Sequence, residues 1–328
     1  MLRAAQPQVA SEQVEGVNQR KLWTPPHHRL EQAMLPVELL GVRAHVLHSP
    51  DFVPPFRRTC RSVITVHDLA FLRFPQSMTA ESHRYYGQVR RGVHSADRII
   101  AVSDATRADL SALLDADDQK IRVIHHGRDP LFYPRGCDEQ RLALDKHGVG
   151  NKFLLWVGTF EPRKNLLLLL DAFQQVRDRD HHVQLVLVGK RGWLDGPIFA
   201  RLDSPALRGG VRVLDNVPRP DLPALYSAAA AFVFPSLYEG FGLPVLEAMA
   251  CGTPVIAADV SSLPEVLGTA GLLVRPDDST AFADAAIRLL GDTSVAEVLA
   301  ARGLERSQDF TWERAARLTL QTYFEAAA

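Results

Sequence analysis

Glu239 and Glu247 stand eight positions apart in the stretch FPSLYEGFGLPVLEAMACGTPVIAAD, which runs from Phe234 to Asp259 and is otherwise almost free of charge. A carboxylate accepts hydrogen bonds well from two vicinal hydroxyls. Gly240 and Gly242 let the backbone approach a ligand closely. Phe241 lies between them, and Leu243 leads into a helix with Pro244 in its first turn and Gly252 just past its end. A helix amino terminus at the carboxyl end of a strand offers N–H groups and a positive dipole end to an anion. Carboxylates would repel a phosphate there unless they hold neutral hydroxyls. The pattern therefore points to a ligand that carries both phosphate and sugar hydroxyls. One glutamate alone reads more simply as a complement to the helix dipole or as a loop acid in solvent. Two of them in a Gly-Phe-Gly-Leu-Pro frame do not.

The elements that must position these residues are legible as short β-branched runs between amphipathic stretches. The first part of the chain offers AHVLH at Ala44, SVITV at Ser62, RIIAV at Arg98 and IRVI at Ile121. The second offers FLLWV at Phe153, VQLVLV at Val183, VRVL at Val211, AFVF at Ala231, PVIAA at Pro254 and GLLV at Gly271. Near-continuous apolar strands alternating with helices predict parallel sheets covered on both faces. Two such series predict an α/β chain of two Rossmann-like domains whose sheets face a cleft. The boundary is expected between Asp129 and Asn151, where DPLFYPRGCDEQ breaks any regular pattern, and is set at 148. The first domain, 1–148, reads as incomplete. Its first forty residues show no strand followed by a glycine-rich turn, the element that usually opens a doubly wound sheet.

Composition excludes other classes. The chain has 328 residues, a net charge of −1 and three cysteines far apart, Cys60, Cys137 and Cys251. No basic field recruits nucleic acid, no cysteine pattern suggests a disulfide framework or zinc site, and no apolar run suits a membrane helix. The opening residues lack the apolar core of a signal peptide, so a cytoplasmic location is expected. No G-x-G-x-x-G follows a strand, which disfavours a nicotinamide enzyme.

The Glu239/Glu247 stretch resembles the E-x7-E signature of retaining glycosyltransferases of family 4, which have the GT-B fold and include mannosyltransferases. The resemblance extends to WVGTFEPRKNL, to TVHDLAFLRFP and IIAVSDATRADL, and to FTWERAARLTLQTYF. It implies a donor-binding domain over 149–308, an acceptor-side domain over 1–148 and a final helix within 309–328 that returns to the first domain. It also implies transfer of a hexose of mannose or glucose type from a GDP- or UDP-linked sugar to a carbohydrate or lipid-linked acceptor, with retention and without a metal or other cofactor. No Asp-x-Asp motif for a metal is present.

The roles follow residue by residue. Glu247 would hold the nucleotide ribose, and Glu239 would contact donor-sugar hydroxyls near the reacting carbon. Arg163 and Lys164, in EPRKN, would neutralise the diphosphate, whose negative charge grows as it departs; taken alone they read equally well as a solvated turn. His67, in TVHDLAF, would line the sugar pocket, and backbone near Val217 would read the base. Ser103 is expected to cap a helix, with Asp104 competing, and Lys190 to face solvent. Basic side chains exceed acidic ones up to Gly148, with clusters at Arg57, Arg58 and Arg61 and at Arg84, Arg90 and Arg91. Such clusters read as a solvated face or as a peripheral contact with the inner membrane face. The incomplete first domain leaves an alternative open, a nucleotide-sugar-binding protein with little or no catalysis.

Overall fold

The computed structural model describes residues 2–4, 20–24, 30–75 and 85–328. All ten of the strands read from the sequence form, and they build two parallel sheets. Strands β3 (Val46–Ser49), β4 (Arg61–Val66), β5 (Arg98–Ala101) and β6 (Ile121–Val123) make a four-stranded sheet in that order. Strands β7 (Phe153–Val157), β8 (Gln184–Val188), β9 (Val211–Leu214), β10 (Ala231–Phe234), β11 (Val255–Ala258) and β12 (Leu272–Val274) make a six-stranded sheet of order β12-β11-β10-β7-β8-β9.

Both β10 and β11 are buried at every position. That is why they read as unbroken apolar runs: helices cover both faces of a parallel sheet. In the six-stranded sheet the chain builds outward from β7 through β8 to β9, then returns to the other side of β7 for β10. The reversal lies between β7 and β10, which pair through Ala231 and Leu154 and through Phe232 and Leu155. Loops at the carboxyl ends of these two strands flank the crevice where ligands of open α/β sheets bind.

Two features were not read from the sequence. The start of the chain does hold strands, β1 (Leu2–Ala4) and β2 (Arg20–Leu22), which pair in parallel as a separate two-stranded sheet. Each is three residues long and one contains two basic residues, so neither makes a recognisable apolar run. Residues 5–19 and 25–29 lie outside the described part. The stretch around the boundary expected at 148 holds the second. It contains the helix Cys137–His147, whose buried Ala143 and Leu144, with Val149, belong to the large core around the six-stranded sheet. Capping at Gly136 and Gly148 bounds this helix, the latter in the left-handed conformation with φ +62°. Its mostly polar sequence hid it.

The last helix, Trp312–Ala327, crosses back onto the first sheet. Ala315 and Ala326 share a small core with Val63, Ile100 and Ile124. The Tyr323 hydroxyl and His48 Nδ1 lie 2.6 Å apart, and His48 Nε2 lies 2.8 Å from Thr65 Oγ1. Burial, reinforced by the charge of nearby His67, pushes the His48 pKa down to about 4, so the ring is neutral at pH 7. Glu325 pairs with Arg122 at 2.7 Å and lies 3.5 Å from Arg98. The crossing needs a glycine at 127, because a Cβ there would lie 2.2 Å from Trp312 N.

Candidate active site

The turn that follows β7 carries Glu161, Arg163 and Lys164, the last two within the 3-10 turn Pro162–Lys164. It is stitched to the loop after β10. Leu237 N donates to Arg163 O at 2.9 Å. Asn165, left-handed at φ 56°, donates from Nδ2 to Pro235 O at 3.1 Å and to Pro276 O at 2.8 Å. These bonds carry residues 70 and more positions apart in the chain into one place.

There Lys164 Nζ donates to Glu239 Oε1 at 2.6 Å, and Arg163 Nη1 lies 3.3 Å from Glu239 Oε2. Arg163 also donates to Tyr238 O at 2.7 Å and to Glu161 Oε1 at 2.6 Å. The loop backbone is fixed as well. Glu239 N donates to Ser261 Oγ and Ser262 Oγ donates to Glu239 O, each at 2.9 Å. Glu161, Lys164 and Glu239 are buried. Burial alone would raise the Glu239 pKa, but Lys164 and then Arg163 outweigh it and hold the carboxyl below its ordinary value. Burial likewise acts against the charged Arg163, and Glu239 and Glu161 outweigh it in turn. The site is thus a set of two basic side chains and two acidic ones, assembled at the reversal point of the sheet.

Glu247 occupies the helix Leu243–Ala250, whose N-cap Gly242 is left-handed at φ +100°. It does not join the ion-paired cluster. Its Oε2 accepts a hydrogen bond from the Tyr226 hydroxyl at 3.1 Å. Burial, only partly offset by Tyr226 and Arg219, pushes the Glu247 carboxyl up to about 7. Val217, past β9 and next to left-handed Asn216, packs against the same core. Lys190 is exposed.

The first domain closes on this loop. A Cβ at Gly240 would lie 1.8 Å from His67 O and 2.8 Å from Asp68 Cβ. Only glycine permits that approach. His67 therefore reaches the site through its backbone, while its exposed ring bonds Pro50 O at 2.9 Å and stacks on His126 with centroids 5.4 Å apart. Phe241 is buried between His125, His126 and Phe310. Ser103 does cap the helix Asp104–Leu114, accepting from Thr106 N, and it also donates to Gly240 O at 2.6 Å. Sequence reasoning missed Glu161, Tyr226, Tyr238 and the far partner of Ser103. Tyr238 and Glu161 adjoin flagged residues, but only the fold shows what they touch.

Comparison with known proteins now adds what geometry cannot. A family model for "Glycosyl transferases group 1" matches residues 151–292, and one for "Glycosyltransferase Family 4" matches residues 3–131. The O-antigen chain mannosyltransferase B of Escherichia coli is 36% identical over 288 residues, covering 87% of this chain and 75% of that one. The chain belongs to glycosyltransferase family 4. A D-inositol 3-phosphate glycosyltransferase of Salinispora arenicola is 32% identical over 291 residues, and this transferase spans 64% of its length. The crystal structure of Anabaena Alr3699/HepE in complex with UDP and glucose superposes with a TM-score of 0.77 at 21% identity, over 93% of this chain and 86% of that one. The transferase therefore has the GT-B fold that its two sheets imply.

Proposed function

We propose that this glycosyltransferase moves a hexosyl group of mannose or glucose type from a GDP- or UDP-linked sugar to a carbohydrate or lipid-linked acceptor. Transfer retains the anomeric configuration and uses no metal. The observation that carries this reading is the pairing of Arg163 and Lys164 with Glu239, the last two buried, at the reversal point of the six-stranded sheet. A nucleoside diphosphate leaving group gains negative charge as the glycosidic bond breaks, and fixed cations in a water-poor site stabilise it without reorganisation. Arg163 supplies a planar fork for two oxygens and Lys164 a point charge.

Glu239 keeps both cations in place before the donor arrives, and its remaining acceptor capacity suits sugar hydroxyls. Glu247, ionised, accepts from the ribose hydroxyls. His67 and the Gly240 backbone bring the acceptor-side domain against the sugar. The relatives support this choice of donor: one is named a mannosyltransferase, and Alr3699/HepE was crystallised with UDP and glucose. No helix among the described residues is long and apolar enough to cross a membrane. A cytoplasmic enzyme in peripheral contact with the inner membrane face fits the basic first domain, although Arg58, Arg61 and Arg90 are paired with acidic groups or carbonyls. Arg84 lies outside the described residues.

The test is thermal stabilisation by GDP- and UDP-sugars, followed by transfer from whichever donor binds. A ligand specific to the native state raises the melting temperature increasingly as its concentration exceeds its Kd. Absence of both stabilisation and transfer across mannose and glucose donors would refute the proposal.

A further inference from the structure

Glu239 is held from both sides by residues of the other domain. On one side is Tyr238, buried at the domain contact. Its hydroxyl donates to Asp109 Oδ2 at 2.7 Å and accepts from Leu69 N at 3.2 Å. Asp109 is itself paired with Arg73, whose Nε lies 3.2 Å from Oδ2. On the other side is Gly240, whose carbonyl accepts from Ser103 Oγ at 2.6 Å and from Thr106 Oγ1 at 3.3 Å. Leu69 lies two residues past His67, so the same tyrosine hydroxyl also ties down the segment that carries His67. Apart from the exposed Arg73, these groups lie in a buried contact, where each hydrogen bond is directional and costly to leave unmade.

We infer that Tyr238 is a positioning residue: through Asp109 and the Leu69 amide it sets Glu239 in register with the acceptor-side domain when the cleft is closed. The inference rests on the transfer reaction proposed above. A fold that merely needed packing at this place would be served by phenylalanine. A hydroxyl that donates to a helix and accepts from a loop of the other domain is required only if the position of its own loop against them matters. Nucleotide binding draws on the second domain and is independent of this contact. Alignment of the reacting groups is not, and small misplacement is costly in rate.

The experiment compares the native chain with Tyr238→Phe, Asp109→Asn and the double variant. Release of nucleoside diphosphate and transfer to octyl mannoside are followed with GDP-mannose and UDP-glucose as donors. Each single variant should lose about tenfold in kcat for transfer, as expected for a buried hydrogen bond to a charged group. GDP or UDP affinity should change less than about twofold, and a larger share of donor should go to water. The double variant should be no worse than Asp109→Asn, which weakens the Tyr238 bond together with the Arg73 pair. An unchanged kcat in Tyr238→Phe, or a parallel loss of nucleotide affinity, overturns the inference. If the native chain transfers nothing with either donor, the functional reading fails on its own account. The clamp is then judged by hydrogen exchange: the Leu69 amide should lose protection in Tyr238→Phe, and retained protection overturns it.

Discussion

Lys164 Nζ and Glu239 Oε1 are 2.6 Å apart, both side chains are buried, and they come from turns after different strands of one sheet. Removing either partner leaves an unpaired charge in a largely desolvated place. Breaking one side of a buried pair commonly costs about 3–5 kcal/mol. Lys164→Met should therefore lower the melting temperature and lift the Glu239 pKa, since Lys164 is the largest influence holding it down. Transfer should fall about a hundredfold or more, the usual effect of losing one preorganised charge contact. A Lys164→Met chain of native stability and activity would contradict the assigned pairing.

Glu247 should make nucleotide affinity depend on pH near neutrality. Its carboxyl is pushed up to about 7, so part of the population is protonated when the site is empty. Ribose hydroxyls are best held by the ionised form, and binding should release a proton. Affinity for GDP or UDP should then rise between about pH 6 and pH 8. In Glu247→Gln that rise should disappear along with the proton release, as calorimetry in buffers of different ionisation enthalpy can show.

The same group has a consequence for the empty protein. A carboxyl whose folded pKa lies above its unfolded value stabilises the fold most below the unfolded value, and that contribution is lost as pH rises through the folded one. Native and Glu247→Gln chains should therefore diverge between about pH 4.5 and pH 7. Over that window the native chain should lose stability relative to the variant. Denaturant titrations at a series of pH values measure it.

Gly240→Ala should separate domain closure from folding. The added Cβ would sit 1.8 Å from His67 O, and backbone on both sides leaves little room to yield. Overpacking of this kind costs about 1–3 kcal/mol. Here the strain can be relieved by opening the cleft. The expected outcome is near-native nucleotide affinity, loss of transfer and a larger radius of gyration with donor bound. Native transfer rates in Gly240→Ala would show that the observed approach is not needed for turnover.

Turnover should persist in EDTA, because Arg163 and Lys164 are placed to stabilise the leaving diphosphate. Loss of activity on chelation, restored by magnesium, would contradict the metal-free proposal.

The sequence determined much of this without help. The central strands were readable because buried parallel strands must be apolar along their whole length, so β10 and β11 announce themselves. Glu239 and Glu247 stood out because ionisable groups are rare in such surroundings. Helix capping made Ser103 visible for the same local reason. Three things depended on tertiary structure. The strands at Leu2–Ala4 and Arg20–Leu22 and the helix Cys137–His147 carry too little apolar pattern to be read locally. The separation of the two glutamates into different environments could not be read from their spacing: one is held ionised by Lys164 and Arg163, the other is pushed towards neutrality by burial beside Tyr226. Nor could the union of Glu239 with the first domain through Tyr238, Asp109 and Gly240. Desolvation and long-range pairing depend on which surfaces the fold brings together, and Asp109 and Tyr238 meet across 129 positions of chain.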